Sequence, residues 1–338
     1  MSASVRVGAM GRLLTVLVAV ALPACEGVSG PEPTPPLEAA RLMAHVDALA
    51  HDSMLGRGAT SVEERQAAGY VREHFRDLDL DPGVPDYFQT FAVFGDPNRR
   101  SQNVLGVLPG EGDLADEWIV VGAHYDHVGF QTVTADSIEV YNGADDNASG
   151  TSVMMELARY LAHYFTRGEG GGTDRRSILF QAFGAEEVGL VGSFYFCNHP
   201  TIPLSSVAAM LNLDMVGRLR METLTVIGSP SSPDWPGILA AANDGGLTLA
   251  YEQKFISGSD HYCFYQAGRP VAFLFTGLHE QYHTPDDDPP LINAQGMLAV
   301  ANLALGMVVD LATRPEGPAP VPVPTAAAER PEADATHF

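Results

Sequence analysis

The feature that most limits what this chain can fold into is a series of short apolar runs, each passing directly into a polar segment. Trp118-Ile119-Val120-Val121 runs into Gly122-Ala123-His124-Tyr125-Asp126, and Ile178 to Phe183 runs into Gly184-Ala185-Glu186-Glu187. Ala208 to Leu213 ends in Asp214, and Val271 to Phe275 leads to the loop bearing His283. Apolar runs of this length without polar alternation read as strands buried on both faces. Helical spacing separates them, over Ser149 to Phe165, Glu187 to Phe196, Asp234 to Asn243 and Leu291 to Ala312. This alternation predicts an α/β fold: three layers, α/β/α, around a mostly parallel mixed central sheet. Ligands of such sheets gather beyond the carboxyl ends of strands. The four polar exits therefore converge without being close in sequence.

Two further helices precede this alternation. Leu42, Val46 and Leu49 share one face of Leu37 to Ala50, and Ser61-Val62-Glu63-Glu64 has the form of a capping box opening a helix that Asp81-Pro82-Gly83 stops. Before them, Arg6 and Arg12 precede the apolar run Leu13 to Leu22. At about ten residues this run is short for a bilayer span and fits a signal-peptide core. It ends Leu22-Pro23-Ala24-Cys25, which resembles a bacterial lipobox. Residues 1–24 are thus expected to be a lipoprotein-type signal peptide, with ordinary secretion and nearby cleavage as the alternative. The product is expected in the cell envelope, periplasm or extracellular space, attached to membrane only through a lipidated Cys25. Residues 25–36 read as a Pro-rich linker, 37–313 as the folded domain, and 314–338 as a disordered Pro/Ala-rich tail.

The formal net charge of -23 carries no Lys/Arg cluster beyond the N-terminal segment. That excludes nucleic acid and anionic lipid as partners held by charge. Only Cys197 and Cys263 fall inside the domain, without Cys-x-x-Cys spacing. A thiolate zinc site is therefore not expected. One disulfide is open but not deducible, and Cys263 reads best as a buried inert thiol.

The polar exits supply two His and at least three carboxylates, enough for two metal ions sharing one Asp. Asp126, two residues beyond His124, is placed to take the second imidazole N–H. His127 is expected not to be a ligand. In Asn142-Gly143-Ala144-Asp145-Asp146-Asn147-Ala148-Ser149-Gly150, small residues permit close backbone approach, and Asp146 suits a bridge. A Gly/Asn-rich turn capped by Ser149 accounts for the same residues. Glu186 and Glu187 repel unless neutralised. Metal on Glu187 would leave Glu186 free to accept a proton from water, whereas a first helical turn would also favour two Glu through the helix dipole.

In combination and in this order, His-x-Asp, Gly-Ala-Asp-Asp-Asn-Ala-Ser-Gly, Glu-Glu-Val-Gly-Leu, Leu-Asp-Met and Tyr-His-Thr-Pro resemble the bacterial leucyl aminopeptidase-like co-catalytic zinc exopeptidases. Glutamate carboxypeptidases and glutaminyl cyclases are relatives of that family. The resemblance covers about Leu37 to Leu311 and includes Leu55-Gly56-Arg57-Gly58. It implies the zinc-exopeptidase fold and two Zn2+ per chain: one on His124 and Asp214, the other on Glu187 and His283, with Asp146 bridging. It implies Glu186 as general base and then acid, Asp126 orienting His124, Tyr282 stabilising the oxyanion, and a cis peptide between Asp146 and Asn147. Gly258-Ser259-Asp260-His261 would lie near the substrate pocket in a supporting role. Ile256 stands where some aminopeptidases have Tyr, and Asp288 replaces a usual Thr. No insert leaves room for a protease-associated domain. The implied activity is hydrolysis of N-terminal peptide bonds of peptides or proteins. A carboxypeptidase, with Arg218 and Arg220 as its nearby cations, is one alternative. The others are a glutaminyl cyclase and a non-catalytic binding protein.

Overall fold

The computed structural model describes residues 33–170, 174–244, 246–253 and 257–323. The signal segment, Cys25, Ile256 and the end of the tail lie outside them. The strands are β1 (Asp81–Pro82), β2 (Phe88–Ala92), β3 (Arg100–Leu108), β4 (Trp118–His124), β5 (Phe130–Thr134), β6 (Ser137–Val140), β7 (Ser177–Phe183), β8 (Val207–Leu213), β9 (Thr223–Ile227), β10 (Thr248–Tyr251) and β11 (Val271–Phe275). The helices are α1 (Ala39–Leu49), α2 (Val62–Asp77), α3 (Gly150–Thr166), α4 (Val191–Asn198), α5 (Trp235–Ala242), α6 (His261–Gln266) and α7 (Ala294–Thr313). The main sheet runs β1-β3-β7-β4-β8-β11-β9-β10, with β2 beside β3. Its four central strands, β7, β4, β8 and β11, are mutually parallel. Antiparallel pairs flank them at β3–β7 and β9–β11. The fold is the expected three-layer α/β/α with a mixed central sheet.

Side chains alternate across the sheet, and both faces are buried. Ile119, Val121, Ile178, Phe180, Ala209 and Leu211 face α1, α2, α3, α5 and α7. Val120, Leu179, Phe183, Met210 and Val271 face α4 and α6. This is why the strands read as continuous apolar runs. In register, His124 stands beside Phe183 and Leu213 beside Leu274. The carboxyl ends of the four central strands therefore lie side by side, and the polar exits share one rim.

Four expectations are corrected. The helix foreseen from Glu187 starts at Val191, because Ala185, Gly189 and Leu190 take positive φ and turn the chain first. Glu186 and Glu187 thus sit on a loop, and a helix dipole does not explain them. Ser149 does not cap α3; its hydroxyl donates to Asp145 O, and Asn147 Oδ1 accepts the Gly150 N–H instead. Cys197 and Cys263 form a disulfide joining α4 to α6, so Cys263 is not a free thiol. The chain stays packed on both sides of the expected 37–313 domain. Thr34 bonds Glu169, the Arg176 guanidinium holds Arg314 O and Pro315 O, and Val321 N–H reaches Ser231 O. Backbone carbonyls that meet a buried guanidinium order a segment that has little apolar surface of its own.

Candidate metal centre

His124, Asp146, Glu187, Asp214 and His283, drawn from five separate segments, meet at this rim. His124 Nε2 lies 3.3 Å from Asp146 Oδ1 and 3.4 Å from Asp214 Oδ1. His283 Nε2 lies 3.0 Å from Asp146 Oδ2 and 3.1 Å from Glu187 Oε2. Asp146 therefore turns one oxygen to each imidazole. Tetrahedral zinc with bonds of about 2.0–2.1 Å requires donors about 3.3 Å apart, and these separations match. His283 Nε2 is buried between two carboxylate oxygens yet makes a hydrogen bond to neither. A cation between them satisfies all three atoms. Although burial opposes it, Asp146 and Glu187 drive the His283 imidazole up to about 10, which measures the local demand for positive charge.

Glu186 is 8 % exposed, and a carboxylate oxygen of it lies within 4.8 Å of donors on His124 and Glu187. Burial, then the charges of Glu187, Asp260 and Asp214, hold it well above the usual carboxylate range, with His124 acting against them. Asp126 behaves differently from the expectation. Its carboxylate stays 3.9 Å from His124 Nδ1 and instead accepts the N–H groups of Glu186 at 3.0 Å and Glu187 at 3.3 Å. Consecutive N–H groups on a tight loop converge on one anion, so the charge fixes that loop. The His124 ring is met by the Asp126 carbonyl, 3.2 Å from Nδ1. Tyr282 stacks on His283 with ring centroids 3.8 Å apart, and the peptide between Asp146 and Asn147 is cis. Burial and the surrounding carboxylates push the Tyr282 phenol further above its ordinary value, keeping it a proton donor.

Several residues here had no role assigned at this centre by pattern. His127 is completely buried and its Nδ1 lies 2.8 Å from Glu187 Oε1. His279 Nε2 lies 3.2 Å from Asp145 Oδ2 and 3.9 Å from Asp287 Oδ1. Asp287 Oδ2 accepts the N–H groups of Asp145 and Asp146, and Asp145 Oδ1 accepts that of Gly217. This ties the Asp146, Asp214 and His283 loops together. Arg220 caps the carbonyls of Thr276, Gly277 and Leu278, and Arg218 bonds Gln281.

Arg57, also completely buried, donates to the carbonyls of Leu49, Tyr125, Asn142 and Gly143. Burial lowers it to about 10 while Asp126, Asp146, Asp287 and Glu187 oppose the fall, so it remains a cation at neutral pH. Replacing Arg57 by Ala leaves the carbonyls of Leu49, Tyr125 and Asn142 without this donor, Gly143 O keeping the Ala148 N–H, and is expected to cost about 3–5 kcal/mol. Lys lacks the planar fork and should not restore the loss. Thermal melting of both variants checks this.

The sequence profile of Peptidase family M28 matches residues 103–308. Aminopeptidase YwaD of Bacillus subtilis is 30% identical over 233 residues, which are 65% of this chain and 47% of that protein. Leucine aminopeptidase 1 of Fusarium vanettenii is 28% identical over 73% of this chain and 64% of its own length. The chain thus spans about half to two thirds of these curated relatives. Among solved structures, the LapA aminopeptidase of Legionella pneumophila superposes with a TM-score of 0.63 at 25% identity, covering 82% of this chain and 72% of that one. BSAP, a zinc aminopeptidase from Bacillus subtilis, gives 0.66 at 20% identity, covering 82% and 96%. With the profile spanning most of the central sheet and all five gathered donors, the chain belongs to peptidase family M28.

Proposed function

We propose that this chain is an aminopeptidase that uses two zinc ions to hydrolyse N-terminal peptide bonds. The observation that carries the reading is Asp146, which offers one oxygen to the His124–Asp214 pair and the other to the His283–Glu187 pair. His124, Asp214, Glu187 and His283 would hold one ion per pair, with Asp146 shared. When bound, such ions supply Lewis acidity toward a carbonyl and lower the pKa of water. Glu186 accepts the proton of the attacking water and returns it to the leaving amine. Asp126 holds Glu186 in place through its backbone N–H. Tyr282, kept protonated, donates to the developing oxyanion. Tyr282→Phe is then expected to lower kcat by about 10²–10³ with KM little changed, as steady-state kinetics will read.

A free-amine substrate is favoured over a free-carboxylate one by the relatives, which are named aminopeptidases. Of the two nearby arginines, Arg220 is occupied by three carbonyls, while Arg218 bonds Gln281 through Nη2 and leaves Nη1 without a hydrogen-bond partner. The segment before the domain supports export with lipid on Cys25. The test is hydrolysis of aminoacyl-p-nitroanilides together with metal analysis. Turnover that is lost on chelation and restored by zinc, at two ions per chain, supports the reading. Two ions without turnover of any free-amine substrate would sink the aminopeptidase assignment and leave the metal centre standing.

A further inference from the structure

Glu187 and Asp214 each have one carboxylate oxygen already taken. Ser259 Oγ donates to Asp214 Oδ2 at 2.7 Å, while Oδ1 faces His124. Ser259 Oγ also accepts from Asn212 Nδ2 at 2.7 Å, which commits its only proton to Asp214. On the other side, His127 Nδ1 lies 2.8 Å from Glu187 Oε1, while Oε2 faces His283. A carboxylate only accepts, so this Nδ1 carries the proton. Asp146 differs. Its oxygens face His124 and His283, and among the described residues no O–H or amide N–H donates to either. His127 Nδ1 stays 3.8 Å away from it, beyond hydrogen-bond reach.

The His127 ring is built into this place. Its backbone N–H bonds Arg57 O at 3.3 Å. Gly143, with φ +57°, lies against the imidazole; a Cβ there would come within 2.5 Å of the ring. A side chain at 143 would displace the donor from Glu187.

We propose that His127 and Ser259 are positioning residues that restrict Glu187 and Asp214 to one-oxygen ligation, leaving Asp146 as the bridging carboxylate. A terminal carboxylate with both oxygens free closes a coordination position that a catalytic metal must keep open. Partners of ligating groups typically set metal affinity by 10–100-fold. The inference rests on the two-metal reading.

The experiment titrates the metal-stripped full chain with Zn2+ by calorimetry and records the visible absorption of the Co2+-loaded protein. Wild type is expected to take up two equivalents. His127→Ala and His127→Gln should weaken one of them by about 10–100-fold and spare the other. The cobalt bands should lose intensity as Glu187's freed oxygen adds a donor. Gln reaches the place of Nε2, not Nδ1. His127→Asn puts an amide nitrogen where Nδ1 was and should restore both affinity and spectrum. Ser259→Ala should weaken the other equivalent, and Ser259→Thr should restore it. If His127→Ala does not fold, the Asn and Gln pair decides.

Wild-type affinities in all the weakening variants would overturn the proposal. So would equal weakening of both ions by one substitution, which is the mark of general loosening. Failure of Asn to restore, with Ala and Gln weakened, would make His127 a ligand itself and overturn its positioning role. Fewer than two equivalents on the wild type would instead overturn the two-metal reading.

Discussion

Glu186→Gln is expected to lower kcat on aminoacyl-p-nitroanilides by about 10²–10⁴, the typical contribution of a positioned general base, with both metal ions retained. Gln keeps the size and the hydrogen-bonding capacity of the side chain but cannot take a proton. The metal count is the informative half of the measurement. Glu186 lies within 4.8 Å of donors on both His124 and Glu187, so proximity alone does not separate a base from a ligand. A base that is lost leaves two ions and a slow enzyme. A ligand that is lost takes one ion with it. Loss of an equivalent in Glu186→Gln would reassign Glu186, and unchanged kcat would remove it from the chemistry. The Asp126 carboxylate should be silent toward metal count in the same assay. It holds the Glu186 and Glu187 N–H groups and stays 3.9 Å from His124 Nδ1.

Four of the five gathered donors were legible because each ends, or follows, an apolar run, and such runs announce both the strand and its terminus; Asp146 was legible from the small residues around it in Asn142 to Gly150. β7 and β8 end where their apolar runs end and start one residue before them. Where local pattern failed, long-range contacts decided. His127 looked idle because its partner, Glu187, is 60 residues away. His279 gave no signal, since its meaning lies in Asp145 and Asp287, which the fold brings to it. The start of α4 was misplaced because Leu190, a good helix former, takes φ 58° to swing Glu186 and Glu187 toward Asp126. The β5–β6 hairpin escaped notice because it is exposed. Ile138 and Val140 do alternate with Ser137 and Glu139, but the strands are short and Phe130, Val133 and Ile138 stay exposed, outside the core. The ordered residues after Arg314 depend on Arg176, a donor 138 positions earlier.

Removing the metals is expected to destabilise the protein, and more so as pH rises from about 5 to about 8. Without cations the rim holds Asp126, Asp146, Glu186, Glu187, Asp214 and Asp260 at close quarters, all buried or nearly so. Burial pushes Asp126 up to about 6 and Asp260 up to about 7 from an ordinary 3.8. Folding therefore tightens their hold on protons. That stabilisation is complete below the unfolded value near 3.8 and is lost as pH climbs through about 6 and 7. Asp146 and Glu187 shift the other way, since neighbouring imidazoles outweigh burial. Their contribution disappears only on acidification below their ordinary 3.8 and 4.5, outside this window. Metal binding runs opposite to the protons, because its ligands must be deprotonated. The gap in melting temperature between zinc-loaded and chelated protein should thus widen with pH. Two sites, each loaded at a thousandfold its Kd, add about 8 kcal/mol. At about 2–4 °C per kcal/mol, the gap at pH 8 should be on the order of 20 °C. Differential scanning calorimetry at pH 5 and pH 8, with and without chelator, measures it. A gap that is constant or narrows with rising pH would mean that proton release from this carboxylate cluster is not what the metals replace.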